Sequence, residues 1–140
     1  MDFNKLIPEL SVSNISKSID FYVSTIGFRI EYARPGAGFA FLSLDSAQIM
    51  LEQDNGHWKT GDIEYPRGRG VNFQIEVRDL KSIYNSVAKT GHPIFREISE
   101  KWRKVDEIEY GEIEFLVLDP DGYLLRFSES IGTRVCHDEN

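Results

Sequence analysis

The residue types that most often carry out chemistry in proteins are few and scattered in this chain. Its three histidines are His57, His92 and His137, and its one cysteine is Cys136. They form neither a Ser/His/Asp nor a Cys/His arrangement for nucleophilic catalysis. Each histidine lies in a segment predicted to be a linker, a turn or a polar tail, where a solvated side chain is the usual outcome. The sequence therefore predicts no nucleophile and no histidine metal ligand.

Charged residues within predicted strands are the other chemical signal. Glu9, Glu52 and Glu76 could supply carboxylates, but an oxygen-only site suits hard cations and needs more ligands than this spacing provides. Arg126 follows Leu125 and precedes an aromatic residue in a strongly β-forming segment. Such an arginine either extends its stem along the sheet to reach water or faces a polar cavity.

Composition limits the classes of function. The chain has 140 residues, of which 41% are hydrophobic, and a formal charge of -7, so it has the size and core of one domain and favours cationic partners over nucleic acid. A single cysteine cannot form an intrachain disulfide, which fits a reducing compartment. No signal peptide and no membrane-length apolar run is recognisable, so a soluble, cytoplasmic protein is expected.

The first half of the chain begins with a predicted strand at residues 6–12, where Pro8 marks a strand start or an edge. Asn14 is a predicted N-cap for a helix over residues 15–25, which Gly27 ends. Three short strands follow, at residues 28–33, 39–44 and 48–53.

The same order then repeats after a polar segment. A strand at 71–77, an N-cap at Asp79, a helix at 80–89 and a strand at 93–98 lead to a polar excursion through Trp102 and Asp106. A hairpin closes the chain, with strands at 112–118 and 123–128 around the turn Asp119-Pro120-Asp121-Gly122.

Asn14 and Asp79 are 65 positions apart, which indicates an internal repeat. The predicted fold is α+β: tandem β-α-β-β-β repeats form a curled mixed sheet around a cleft, with the helices outside. One domain, 1–140, comprises repeat one at about 5–53, a linker at about 54–69, repeat two at about 70–129 and a polar tail at 130–140.

With these features the chain resembles the vicinal oxygen chelate superfamily, which includes glyoxalase I, extradiol dioxygenases, and fosfomycin and bleomycin resistance proteins. The resemblance rests on Val12-Ser13-Asn14-Ile15, Ser18-Ile19-Asp20-Phe21-Tyr22, Gly27-Phe28 and Asp119-Pro120-Asp121-Gly122. It covers about residues 5–129.

The resemblance implies where a metal site would lie. The superfamily's enzymes hold a divalent metal with a His on the first strand of each half and a Glu on the last strand. Those positions fall at Ile7, Asn72 and Arg126 in this chain. An alkyl group, a neutral amide and a permanent cation are unsuitable replacements, so no metal site is expected.

Because it lacks these metal ligands, the chain is similar to the bleomycin resistance proteins, which have this fold without a catalytic metal. Their drug lies in grooves at a dimer interface, between aromatic rings. The resemblance places Tyr110-Gly111 and Phe39 at the ring positions of that groove. It also implies a homodimer that exchanges an N-terminal arm near Pro8.

A flat, cationic drug of the bleomycin type would need ring faces and carboxylates. The predicted carboxylates are Glu9, Glu52, Asp54 and Glu112, and the further ring walls are Trp58, Tyr65 and Trp102. Asn72 and Arg126 complete the predicted ligand-binding set. No resident cofactor is expected, although a metal could arrive with the ligand. Two alternatives remain: a metal-dependent lyase or dioxygenase with displaced ligands, and a sensor or binding module for another small metabolite.

Overall fold

A computed structural model describes residues 1–136, so His137 and the three residues after it lie outside the described part of the chain. The first half consists of β1 (Glu9–Val12), α1 (Ile15–Ile19) continued by a π-helix (Asp20–Ile26), β2 (Arg29–Arg34), a 3-10 turn (Pro35–Ala37), β3 (Phe39–Leu44) and β4 (Ala47–Gln53). The second half consists of β5 (Asn72–Glu76), α2 (Leu80–Lys89), β6 (Arg96–Val105), β7 (Ile108–Leu118) and β8 (Leu124–Val135).

The two halves have the same topology. The strand orders are β1-β4-β3-β2 and β5-β8-β7-β6. In each sheet the first strand runs parallel to the last, and the other neighbours are antiparallel. The predicted fold class of tandem β-α-β-β-β units is confirmed, with two separate, open four-stranded sheets in place of one curled sheet.

Strand alternation gives each sheet a helix face and an open face. The helix faces form one apolar core with the helices of both halves; its sheet residues include Leu10, Val12, Leu42, Leu51, Ile75, Phe115, Val117, Leu125 and Phe127. The first open face carries Glu9, Tyr32, Phe39, Phe41 and Glu52. The second open face carries Asn72, Gln74, Arg103, Tyr110, Glu112, Glu114 and Arg126.

The turn after β7 connects the halves. One oxygen of Asp119 accepts from the backbone N–H groups of Asp121 and Tyr123, both at 2.9 Å, and the other accepts from the hydroxyl of Tyr22 at 2.7 Å. The Asp121 carboxylate accepts from the hydroxyl and the backbone N–H of Ser13. Residues of the first half are thus held by a turn of the second.

Burial dominates the electrostatics of this turn. Asp119 is 2% exposed, and desolvation raises the pKa of its carboxyl to about 6, against the opposing effect of the hydrogen bonds from Tyr22 and the backbone. The neighbouring hydroxyl of Tyr22 is fully buried, and its pKa is also raised by desolvation and by Asp119.

The predicted helix boundaries are confirmed where they depend on capping. The side chains of Asn14 and Asp79 accept from backbone N–H groups three residues along the chain, at 3.1 and 3.2 Å. Gly27 ends the first helix at φ +111°, a left-handed conformation that glycine adopts without a Cβ clash.

The prediction of a single regular helix over residues 15–25 is wrong in its second part. From Asp20 to Ile26 the backbone is a π-helix, and Gly27 N–H donates to Tyr22 C=O over five residues at 3.0 Å. The wider turn buries Phe21 together with Tyr22 and Ile26.

Two predictions in the second half are also wrong. Trp102 lies within the ten-residue strand β6, whereas a polar excursion was expected there. Strand β8 continues to Val135, through residues expected to belong to the tail. Both segments are largely exposed on both faces, so they lack the apolar alternation by which a strand is recognised in a sequence.

Within residues 1–136, helices of the length and apolarity needed to cross a bilayer are not found.

Candidate ligand-binding site

Three rings form a cluster on the first open face. Tyr32 and Phe41 are stacked with centroids 5.1 Å apart and an interplanar angle of 10°, and Tyr32 and Phe39 are 5.9 Å apart. Strand register explains the arrangement, because Tyr32 pairs with Phe41 across β2 and β3. The predicted ring position Phe39 therefore belongs to an aromatic surface. Tyr32 and Phe41 were missed, although the alternation of β2 and β3 around the Pro-Gly turn could have identified them.

Two carboxylates lie on the same face as this ring cluster: Glu52 is next to Phe39, and Glu9 is separated from Phe41 by Met50. Glu52 pairs directly with Phe39 across β3 and β4, and its carboxylate lies 3.8 Å from the ring of His57 and accepts from Asn55 at 2.5 Å. Burial and the charge of Glu52 raise the pKa of Glu9, while a hydrogen bond from Trp58 opposes this shift. The structure thus brings together the predicted residues Glu9, Glu52, Phe39 and Trp58.

The linker adds a cavity beside Glu9. Its volume is about 390 Å³, and it is lined by Glu9, Ser11, Trp58, Arg67 and Tyr123 together with residues 60–64. Arg67 binds both oxygens of Asp54 at 2.8 Å and donates to the Ser11 carbonyl. The hydrogen bond from Arg67 lowers the pKa of Asp54, so this predicted carboxylate already has a permanent cationic partner.

Arg126 lies in a polar network on the second open face. Its guanidinium donates to the Gln74 side-chain oxygen at 2.9 Å and lies 3.9 Å from the Glu114 carboxylate. Arg103 donates to Glu112 at 2.8 Å and to Glu114 at 3.4 Å. Among residues 1–136, the buried Nε of Arg126 has no hydrogen-bond partner.

This network has balanced charge. Two arginines face two glutamates, and Glu114 is only 4% exposed. The predicted carboxylate Glu112 is therefore compensated by Arg103. Gln74, Arg103 and Glu114 were not predicted as site residues, because an alternating polar strand is equally typical of a solvated surface.

Asn72 and Tyr110 lie on the same face as this network. Asn72 is exposed at the start of β5, two positions before Gln74. Tyr110 pairs with Arg103 across β6 and β7 and is 49% exposed. Its ring is therefore available to a ligand or to another protein surface.

Trp102 and Gly111 lie on the opposite face of that sheet. They pair across β6 and β7, and a Cβ added at Gly111 would approach the Trp102 ring to 2.6 Å. The guanidinium of Arg134 covers the same ring at 4.0 Å from its centroid. Trp102 and Tyr110 of one chain therefore face away from each other and cannot form one groove wall.

Tyr65, which was predicted to be a ring wall, and His92, which was predicted to lie at a turn, are in another part of the molecule. His92 contacts the Leu118 carbonyl and packs against Phe21, with ring centroids 4.8 Å apart. It lines a separate cavity of about 270 Å³ together with Tyr65 and Phe95.

The three positions at which the resemblance implies metal ligands do not carry residues that suit a metal. Ile7, just before β1, has no donor atom, Asn72 offers a neutral amide, and the Arg126 guanidinium is directed to Gln74 and Glu114. Within residues 1–136 no three His, Cys, Asp or Glu side chains are grouped as a metal site would require. The donor set and a divalent cation are chemically mismatched.

The N-terminal segment crosses the first open face. Asn4 N–H donates to the Gln48 side-chain oxygen, and the Gln48 amide donates to the Asp2 carbonyl, both at 2.7 Å. The ring of Phe3 meets Phe41 edge to face at 5.4 Å between centroids. This segment leads into Pro8, whose carbonyl accepts from Met50 at 2.9 Å.

The topology and the sequence together define the protein class. The Glyoxalase/Bleomycin resistance protein/Dioxygenase superfamily matches residues 8–127, and the chain belongs to this family. It is 29% identical over 136 residues to bleomycin resistance proteins of Geobacillus stearothermophilus and Staphylococcus aureus. The matches cover 89% of this chain and 96% of each relative.

Solved structures show the same fold. TioX from Micromonospora sp. ML1 aligns with a TM-score of 0.71 at 17% identity, over 92% of this chain and all of that one. A glyoxalase/bleomycin resistance protein/dioxygenase from Alicyclobacillus acidocaldarius aligns with a TM-score of 0.62 at 21% identity, over 92% of both chains.

Proposed function

We propose that this protein is a non-catalytic binding protein that sequesters bleomycin-type antibiotics, which are flat and cationic, and so confers resistance in the cytoplasm. The observation that carries the proposal is the similarity to bleomycin resistance proteins along nearly the whole of both chains. Sequestration needs neither a nucleophile nor a resident metal, which suits the Ile7, Asn72 and Arg126 positions. A metal would arrive with the ligand.

The chemistry of the first open face supports this ligand class. A ring cluster offers stacking of about 0.5–1.5 kcal/mol per aromatic pair. Glu9 and Glu52 lie on the same face, and the whole chain carries a formal charge of -7, which attracts cations over long range.

We further propose that the groove forms between two copies of the chain. The first open face supplies rings and carboxylates, whereas the second supplies Tyr110 and the arginine–glutamate network. A homodimer that sets the first open face of one copy against the second open face of the other would surround a ligand on both sides. Exchange of the segment before Pro8 would place the Gln48 and Phe3 contacts between subunits.

Calorimetric titration of the purified, metal-free protein with copper-loaded bleomycin tests the proposal. We expect saturation near one drug per chain and weaker binding by Tyr110→Ala and Phe39→Ala. Tyr65→Ala is the matched control, because Tyr65 is an exposed ring that lines a different cavity. A flat titration of a folded, dimeric protein would refute bleomycin as the ligand.

A further inference from the structure

The ring cluster of the first open face is covered by the chain's own side chains. The guanidinium of Arg34 lies 5.0 Å from the centroid of Phe39 and 5.4 Å from that of Tyr32. It therefore occupies the space above two of the three rings, in the position in which a cation is attracted to an aromatic face.

Phe3 covers the other end of the ring cluster. Its edge-to-face contact with Phe41 is held by the two hydrogen bonds between Gln48 and the backbone of Asp2 and Asn4. Phe3 itself is 56% exposed, so it covers the cluster without being buried.

The coverage explains an unusual burial pattern. Phe39 and Phe41 point away from the helices, yet they are only 7% and 1% exposed. In the conformation observed, Phe39 and Phe41 therefore offer a flat ligand almost no exposed ring surface on which to stack. A planar cation and an aromatic ring of the protein are already in place there.

We propose that Arg34 and Phe3 are intramolecular competitors for the ring cluster, and that a flat, cationic ligand enters only by displacing them. Arg34 occupies the place of the ligand's flat cationic group, and Phe3 that of a neighbouring ring. The inference rests on the proposed function for the location of the groove and for the flat, cationic ligand class, and it adds the two residues that compete with the ligand.

Competition of this kind has a defined consequence for affinity. The apparent dissociation constant is the intrinsic constant divided by the fraction of molecules in which the rings are uncovered. One exposed cation–π contact corresponds to a factor of about two to five in that fraction. Removal of the Arg34 guanidinium should therefore tighten binding by about that factor, even though the variant has lost a side chain.

The matched comparison is between Arg34→Ala and Arg29→Ala. Arg29 is at the other end of β2, where it pairs with Glu31 and is 79% exposed in its side chain. Both substitutions remove one positive charge from the same strand, so they change long-range attraction of a cation equally. Only Arg34→Ala removes a side chain that covers the rings.

Thioflavin T is a suitable probe, because it is a flat benzothiazolium cation whose fluorescence rises when its internal rotation is restricted. We expect Arg34→Ala to bind it at least about twofold more tightly than Arg29→Ala. Phe3→Ala should also tighten binding relative to Leu6→Ala, since Leu6 is 83% exposed. Phe39→Ala or the less disruptive Phe39→Leu, added to Arg34→Ala, should abolish the gain.

Equal affinities of Arg34→Ala and Arg29→Ala, or an absence of binding by both, would overturn the inference. A gain that survives loss of the Phe39 ring would also overturn it, because the dye would then be bound elsewhere. The outcome is independent of the antibiotic: thioflavin T binding that depends on Arg34, combined with no binding of copper-loaded bleomycin, would refute the proposed function and leave this inference standing.

Discussion

Asp119→Asn should make the free energy of unfolding less dependent on pH. Burial raises the pKa of Asp119 from 3.8 to about 6, so the folded chain binds this proton more tightly than the unfolded chain does. The associated stabilisation is complete below pH 3.8 and is lost as pH rises through 6. A difference of about 2.2 pKa units corresponds to about 3 kcal/mol in all, and about 2 kcal/mol of this falls between about pH 4.5 and 7.5.

Asparagine is an informative replacement at this position. Its amide oxygen can still accept from the backbone N–H groups of Asp121 and Tyr123, and its NH₂ group can donate to the Tyr22 hydroxyl. The variant cannot carry the charge that burial penalises, so any cost of the substitution is the same at every pH. Titrations of groups that do not interact with Asp119 cancel when the two proteins are compared.

Urea unfolding followed by circular dichroism, at several pH values, measures this difference. We expect the stability of the wild type relative to Asp119→Asn to fall by about 2 kcal/mol between about pH 4.5 and 7.5. Asp62→Asn, which changes an exposed carboxylate, should follow the wild type. A constant difference would show that the Asp119 pKa is ordinary. A difference that grows with pH would show that hydrogen bonding outweighs burial, and either result would refute the reasoning.

Three other predictions follow from local contacts. Gly111→Ala should lower the free energy of unfolding by about 1–3 kcal/mol in thermal denaturation, because its methyl group would meet the Trp102 ring. In a Trp102→Ala background most of this cost should disappear. If the two substitutions instead have additive effects on the free energy of unfolding, the contact is contradicted. Glu52→Gln should lower the pKa of Glu9 in an NMR titration, since one cause of its raised value is removed; an unchanged value would assign the shift to burial alone. Asn14→Ala should lower the free energy of unfolding in urea by about 1 kcal/mol, because the N-cap hydrogen bond is lost. An unchanged midpoint of the urea transition would show that the cap is not stabilising.

The features that sequence reasoning predicted are those that depend on near neighbours along the chain. The caps at Asn14 and Asp79, the stop at Gly27 and the turn at Asp119 each require a particular residue type at a particular position. Repetition of these signals in each half predicted the tandem topology.

The features that escaped prediction depend on partners distant in sequence. Strand β6 is held by backbone hydrogen bonds to β7. Most of its side chains are exposed, so its sequence lacks the apolar alternation that predicts a strand. The face on which Trp102 lies follows from its register with Gly111, which no local pattern determines. Coverage of the rings by Arg34 required knowledge of how β2 pairs with β3 and how residues 2–4 cross the sheet.

The turn from Asp119 to Tyr123 holds the two halves together with groups that lie away from the ring cluster and the arginine–glutamate network. Its contacts to the first half are made to Tyr22, to Ser13 and to the backbone carbonyl of Ser11. Substitutions on either open face therefore leave this joint intact. A change in the chemistry of either open face would therefore not require a new way of joining the two halves.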